Sequence, residues 1–438
     1  MNSIWQKTLV RSHFESLEKD IRTDVLVIGG GICGLLCAYM LKREGIDCVV
    51  LEGERICEKT TAGTTAKITA QHGLIYDKIL HSSGMENARL YYDANTAAIN
   101  EYRKLCNNID CNFTDTSSFV YSLDSRQNLL KEQIALKKIG VFASLENPSS
   151  LPFKTVGALK FENQACFNPL KFAKHISEGI KIYENSRVEK ISGNVAYTKK
   201  ARVIAKRIIV ATHFPFINRY GLYSLKMYQS RSYVIALEGA EPSDGVYIDE
   251  KEGGISLRPC TDILLFGGGG HRTGKGKCAY DELEKLAKRY YPKSIVKYRW
   301  ATQDCMTLDG IPYIGKYSPF SENLYVATGF NKWGMSSSMV AAMLLTDMLT
   351  GRKNKYEKLF NPSRSIFHPQ LATNIKESLS GLLSQSEKRC SHLGCALKWN
   401  KAEHSWDCGC HGSRFDKDGN VLNNPANKEL KGNDRGKI

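Results

Sequence analysis

The chain has no hydrophobic run of the roughly 18 uninterrupted apolar residues that a membrane span requires. Its best candidate, Met335 to Leu349, is broken by serines and Asp347 and reads as a buried helix. The first twenty residues, MNSIWQKTLVRSHFESLEKD, carry charges where a signal peptide needs an apolar core. These absences exclude a membrane-spanning or exported reading and predict a cytoplasmic protein. Basic residues are not gathered into a block either, and no nucleic-acid arm stands out. The 61 Lys and Arg against 45 Asp and Glu still leave a net charge of +16, which attracts anions. An acidic protein or an anionic substrate fits that charge; nucleic acid is not expected as a partner.

What is present begins with size. The 438 residues are 42% hydrophobic and 24% charged, a globular mixture long enough for two or three domains. Of fourteen cysteines, ten are scattered from Cys33 to Cys305 without a repeated spacing and read as small buried hydrophobes in a reducing compartment. The other four crowd between Cys390 and Cys410.

Asp24 to Glu52 reads DVLVIGGGICGLLCAYMLKREGIDCVVLE. DVLVIG predicts a buried parallel strand, Leu35 to Arg43 a helix, and CVVLE a second strand ending in an acid. Between strand and helix, GGGICG supplies G-x-G-x-x-G at Gly29, Gly31 and Gly34, completing a dinucleotide-binding βαβ fingerprint. Gly29 permits the tight turn, Gly31 lets a pyrophosphate approach backbone N–H groups, and Gly34 lets the helix pack on the sheet. Glu52, 18 residues beyond Gly34, is placed to accept hydrogen bonds from ribose hydroxyls. The fingerprint alone leaves FAD and NAD open.

Two distant segments decide between them. RVEKISGNVAYTKKARVIAKRIIVATHFP (Arg187 to Pro215) reads as a β-meander returning to a strand, and Asp309 to Gly351 as strand, glycine turn and long helix. With them the chain resembles the D-amino acid oxidase family of FAD-dependent oxidoreductases over roughly residues 20 to 355. The resemblance implies a Rossmann-like α/β FAD-binding domain interleaved with an antiparallel-sheet substrate domain, together spanning residues 1–366. It assigns Gly29, Gly31, Gly34 and Glu52 to the ADP half of FAD and the backbone of Val188 to the adenine. Gly329, Trp333, Gly334 and Met335 fall to the isoalloxazine, and Thr64, Thr65 and Lys67 of TTAGTTAK to the loop after the first acid. ATH at Ala211 to His213 departs from the family, which has glycine third. Cys305 lies near a covalent flavin attachment point of some relatives but at a different offset, so non-covalent FAD is expected. FGGGGHRTG (Phe266 to Gly274) reads as a permissive turn after a strand.

CSHLGC (Cys390 to Cys395) and CGCHGS (Cys408 to Ser413) each offer a cysteine and a histidine at ligand spacing. Zinc fingers use a cysteine pair and then a histidine pair, whereas one of each per box suits a cluster with two unlike irons. The boxes resemble those of Rieske [2Fe–2S] proteins. The resemblance assigns Cys390 and Cys408 to one iron and His392 and His411 to the other, and pairs Cys395 with Cys410 in a disulfide. It also marks two departures: Gly409 in place of a proline, which loosens the loop, and Phe415 in place of a hydroxyl-bearing aromatic. Ser413 remains to donate to a bridging sulfide. The expected potential lies in the lower part of the roughly −150 to +300 mV Rieske range. A small all-β unit, residues 387–438, is expected after a helical tether at 367–386. It lacks the sheet that usually precedes the first box, and it depends on the cluster as a staple.

Joined, the modules resemble a family of FAD oxidoreductases with a Rieske tail. The resemblance implies a dehydrogenase of a small amine or amino acid that passes electrons from FAD through the cluster to an external acceptor, a protein or a quinone. Arg231 or Arg258 is a candidate to grip a substrate carboxylate, with Tyr233 as a hydroxyl donor. His72, His213 and His271 show no partner in the sequence. Two other readings of the same modules are an oxidoreductase of modified transfer-RNA bases and a non-catalytic redox sensor.

Overall fold

The computed structural model describes residues 3–7, 13–217 and 220–430. The strand Ile21–Ile28 buries Val25 through Ile28 on both faces, the environment of a parallel strand covered by helices. It pairs in parallel with Cys48–Leu51 on one side and Arg202–Val210 on the other. Lys181–Tyr183 and Leu324–Thr328 extend the sheet in parallel, and Tyr313–Lys316 closes one edge antiparallel. Helix Ile32–Arg43 starts at the glycine turn and is buried from Ile32 to Ala38 and at Met40 and Leu41. It packs against helix Gly334–Thr350, which takes up Met335 to Leu349 as a core helix. Among the described residues no helix is long and apolar enough to cross a membrane.

The second sheet has nine strands. Its order runs Ile295–Thr307, Met227–Glu238, Ile263–Arg272, Ser256–Cys260, Val246–Asp249, Thr114–Ser122, Gly157–Cys166, Lys67–Ile68, with Ser144–Glu146 beside Gly157–Cys166. Every pairing is antiparallel except Val246–Asp249 with Thr114–Ser122. The expected antiparallel sheet therefore carries one parallel seam, where the stretches 67–166 and 227–307, two separate visits of the chain, meet.

The third sheet is an antiparallel meander of Leu397–Asn400, Ser405–Cys408, Arg414–Phe415 and Val421–Asn423. Its core is four cysteines with Leu397, Phe415 and Ala426. Helix Pro369–Leu383 precedes it and is not a bare tether. Gly381 O accepts from Ala396 N–H at 2.8 Å, and a Cβ on Gly381 would lie 2.2 Å from Cys410 Sγ. Only a glycine lets the helix lie on the cysteine loops. Residues 431–438, the end of the expected cluster domain, are outside the described residues.

Candidate functional site

One cavity of about 620 Å3 lies between the parallel sheet and the nine-stranded sheet. Gly29, Gly31, Glu52, Thr64, Thr65, Lys67, Val188, Trp333, Gly334 and Met335 line it. Gly34 and Gly329 stand behind its wall. At Gly34 a Cβ would lie 1.9 Å from Gly29 O, so the helix and the turn can meet only through glycine. A Cβ on Gly31 would meet nothing closer than Thr61 Oγ1 at 3.5 Å, so the turn has room at this point, while the N–H groups of Gly29 and Ile32 donate to Leu51 O and Thr61 Oγ1. Glu52 accepts from Gly30 N–H at 2.7 Å and Glu54 N–H at 2.8 Å, while burial pushes its carboxyl up. Ser338, fully buried on the same wall, has a hydroxyl with no hydrogen-bond partner. A bare glycine cradle, an acid at the strand end and an orphaned hydroxyl fit a dinucleotide.

The flavin-ring side gives His72, which shows no partner in the sequence, a partner in Trp333, and adds residues that the sequence does not single out. His72 stacks on Trp333 with ring centroids 4.8 Å apart and bonds to Tyr91 OH at 2.7 Å, Thr69 O at 2.7 Å and Ser336 Oγ at 3.0 Å. Burial lowers its imidazole to about 3, a neutral ring that fixes Trp333 against the cavity. Asn331 and Lys332 both have positive φ, 52° and 72°, a strained pair at the mouth of helix Gly334–Thr350. Alternation along Ile295–Thr307 turns Thr302, Asp304 and Met306 to the cavity and Gln303 and Cys305 away. Burial raises the Asp304 carboxyl to about 6, with Lys332 opposing. Cys305 packs instead among buried apolar residues such as Met227 and Tyr313.

The cysteine boxes form two facing loops. Cys390 N–H donates to Cys395 O at 2.8 Å, and Cys408 N–H to Ser413 O at 2.9 Å. The Sγ atoms of Cys395, Cys408 and Cys410 lie within 4.8 Å of one another, and all fourteen cysteines are free thiols. The rings of His392 and His411 meet edge to face at 5.0 Å. His411 Nδ1 is buried and has no hydrogen-bond partner. Two thiols in contact, Cys390 with Cys408, beside two crossed imidazoles form a donor set that fits a cluster with unlike irons. Ser413 Oγ accepts from Ala426 N–H at 3.1 Å and lies beside the Cys390 thiol.

The substrate candidates are placed differently from the expectation. The guanidinium of Arg231 is taken by Glu403, to which Tyr233 OH also donates at 2.9 Å. Glu403 is in the loop before Ser405–Cys408, so this pair locks two domains together instead of facing a substrate. Arg258 donates to the carbonyls of Thr65 and Phe167 and lies over the Trp5 ring. Neither arginine lines the cavity; Tyr233 does.

Gly409 is likewise not a loosened loop. Arg272 donates to Gly409 O at 3.1 Å and to Cys410 O at 2.7 Å, pinning the loop to the end of strand Ile263–Arg272. Phe266 to Arg272 of FGGGGHRTG continue the strand Ile263–Arg272 rather than turn, and only Thr273 and Gly274, the latter with φ 75°, turn directly under the loop. A Cβ on Gly274 would lie 2.8 Å from Gly409 N and 3.1 Å from Cys408 C, both backbone atoms. Gly274→Ala is expected to displace the cluster loop and to destabilise this docking by at least about 1–2 kcal/mol from its left-handed φ alone. Thermal unfolding followed by visible circular dichroism of the cluster measures it. An unchanged midpoint refutes the contact.

The cavity and the cysteine loops share a wall. Ala211, Thr212, His213 and Phe214 line the cavity, and the Phe214 ring meets His392 at 6.2 Å. Asn424, after the last strand, donates to Thr212 O and Phe214 O. His213 has a left-handed backbone, φ 67°, a cost of order 1–3 kcal/mol for a residue other than glycine. Burial holds its ring at about 4. Gln229 donates to His411 O at 2.9 Å and Gln303 to Gly412 O at 2.7 Å, so two side chains of the large sheet hold the second loop.

Residues 24–348 match the FAD dependent oxidoreductase family (DAO), and residues 371–433 match the Rieske [2Fe-2S] domain. YhfW of Bacillus subtilis (strain 168), named as a Rieske 2Fe-2S iron-sulfur protein, is 35% identical over 98% of this chain and 96% of its own length. Gamma-glutamylputrescine oxidoreductase of Escherichia coli (strain K12) is 24% identical over 80% of this chain and 88% of its own. Glycine oxidase from Geobacillus kaustophilus superposes with a TM-score of 0.68 at 17% identity, covering 79% of this chain and 99% of that one, a likeness of fold. The first region binds FAD and the second a [2Fe–2S] cluster. The chain belongs to the FAD dependent oxidoreductase family and carries a Rieske domain behind the flavin fold.

Proposed function

We propose that the protein is a dehydrogenase that oxidises a small amine or amino acid and delivers the electrons through its Rieske cluster to an external acceptor, a protein or a quinone. Bound FAD supplies a two-electron acceptor and the cluster a one-electron station. The observation that carries the reading is the shared wall: Ala211 to Phe214 face the flavin cavity on one side and the His392 loop on the other.

In this reading Gly29, Gly31, Gly34 and Glu52 hold the ADP half of FAD, without a covalent link, and Val188 lies at the adenine. Thr64, Thr65, Lys67, Gly329, Trp333, Gly334 and Met335 surround the flavin. Cys390 and Cys408 hold one iron, His392 and His411 the other, and Cys395 with Cys410, free thiols in the structure, would close into a disulfide under Gly381 on oxidation. Helix Pro369–Leu383 belongs to the cluster unit, since Gly381 and Ser378 touch its loops; Ser378 Oγ lies 3.5 Å from His411 Nε2. The name of the gamma-glutamylputrescine oxidoreductase relative supports an amine as the donor.

Anaerobic stopped-flow against a panel of amines and amino acids tests the proposal. The expected trace shows flavin bleaching followed by cluster reduction within one molecule. Bleaching that never reaches the cluster rejects the relay.

A further inference from the structure

The charges on the cavity wall bear on what the substrate looks like. Arg231 and Arg258, the guanidiniums of the nine-stranded sheet expected to meet a carboxylate, are committed to Glu403 and to two backbone carbonyls. The arginines that do line the cavity, Arg55 and Arg187, stand on its fingerprint side, 3.8 Å from Glu184 and 3.0 Å from Glu54. Lys67, on the edge strand Lys67–Ile68 of the nine-stranded sheet, is the cation assigned above to the flavin.

The wall built by the nine-stranded sheet has the opposite sign. Asp249, Glu250, Glu252 and Asp304 all line it. Glu250 Oε1 accepts from Ser122, while its Oε2 is buried with no hydrogen-bond partner. Two cations beside these acids have partners: Lys332 lies 3.8 Å from Glu252 and also acts on Asp304, and Lys251 bonds to Asp124. A substrate carboxylate entering here meets carboxylates and no unengaged guanidinium, an arrangement that discriminates by repulsion. An ammonium group meets two unlike cases of the same sign, Asp304 beside the flavin ring side and Glu252 nearer the mouth.

We infer that this wall selects its substrate as a cation, a diamine or polyamine whose second ammonium faces Asp304 and Glu252, and disfavours an amino acid. The inference rests on the proposed amine oxidation at the same cavity. In that step the carbon beside the nitrogen loses a hydride and the nitrogen releases a proton to water, leaving an imine. The two electrons pass to the bound flavin and then singly through the cluster to the external acceptor.

Two measurements on the holoenzyme separate this inference from the proposed function. The first is calorimetric binding of butane-1,4-bis(trimethylammonium), a dication with no nitrogen lone pair to oxidise. The second is anaerobic flavin bleaching by putrescine and spermidine beside glycine and L-proline. The dication is expected to bind, and Asp304→Asn and Glu252→Gln each to weaken it at least about tenfold. Putrescine or spermidine is expected to bleach the flavin at lower concentration than either amino acid. Bleaching by glycine or proline alone overturns the inference and leaves the proposed function standing. Failure of the dication to bind, or equal binding in both variants, overturns it as well. Binding of the dication with no bleaching by any of the four supports the cation site and rejects amine oxidation there.

Discussion

Glu403→Gln is expected to release the Rieske unit from the flavin domain. Glu403 accepts from Arg231 Nε at 2.7 Å and Arg414 Nη2 at 3.0 Å, and all three side chains are less than a tenth exposed. Removing the carboxylate leaves the buried guanidinium of Arg231 without its counter-charge, a loss of about 3–5 kcal/mol for a broken buried pair. Arg414 retains Asp407 at 2.9 Å, so most of the loss falls on Arg231 and on the interface it crosses. Arg231→Met in the Glu403→Gln background is expected to recover part of it by removing one orphaned charge. The readout is cluster reduction after flavin bleaching: it slows sharply in Glu403→Gln, while bleaching itself is spared. Relay kinetics identical to the parent would remove this ion pair from the interface.

The same lock has a defined pH behaviour. Burial raises the Glu403 carboxyl, but Arg231 and Arg414 overcome it and hold the group below its ordinary range. A depressed carboxylate stabilises the fold above its unfolded pKa, and that contribution is lost as pH falls through the lowered folded value. Docking is therefore expected to hold from neutral pH through the ordinary carboxylate range and to fail only in stronger acid.

Removal of the cluster, by chelation or by Cys408→Ser, is the second change with a large expected effect. The C-terminal unit has four cysteines among its seven core residues, far too little apolar burial for independent stability. Cluster binding is therefore folding free energy for residues 387–430. The effect reaches the flavin, because Val421 to Asn427 line the cavity and Lys59 bonds to Leu422 O. Loss of that wall is expected to weaken FAD binding by roughly tenfold, the consequence of about 1.4 kcal/mol. Hydrogen exchange over residues 387–430 and flavin release on ultrafiltration measure the two halves. Full exchange protection in the cluster-free protein contradicts the staple. Protection lost with flavin retained confines the effect to the tail.

What could be read along the chain was what neighbouring residues encode together. The period of DVLVI, the spacing of Gly29, Gly31 and Gly34, and Glu52 at the end of CVVLE act through one strand, one turn and one helix. They are local geometry, and the structure sets them in that geometry. The cysteine boxes were legible for the same reason, each being a single tight loop. Arg231, by contrast, sits on a strand in a pattern that any substrate-facing arginine shares. Its true partner lies 172 positions away.

The sequence by itself therefore determined the two cofactor folds, their order and the residues of each loop, because backbone conformation and ligand spacing are set within a few residues. Only the tertiary structure decided what joins them. Gly274 under Gly409, Gly381 under Cys410, Arg231 against Glu403 and His213 between the cavity and the cluster depend on how the sheets pass one another. Such contacts select small or charged residues for space and charge at an approach between distant segments, and no local periodicity marks them. Gly409, which reads in isolation as a weakened loop, is a close contact that holds the cluster against the flavin domain.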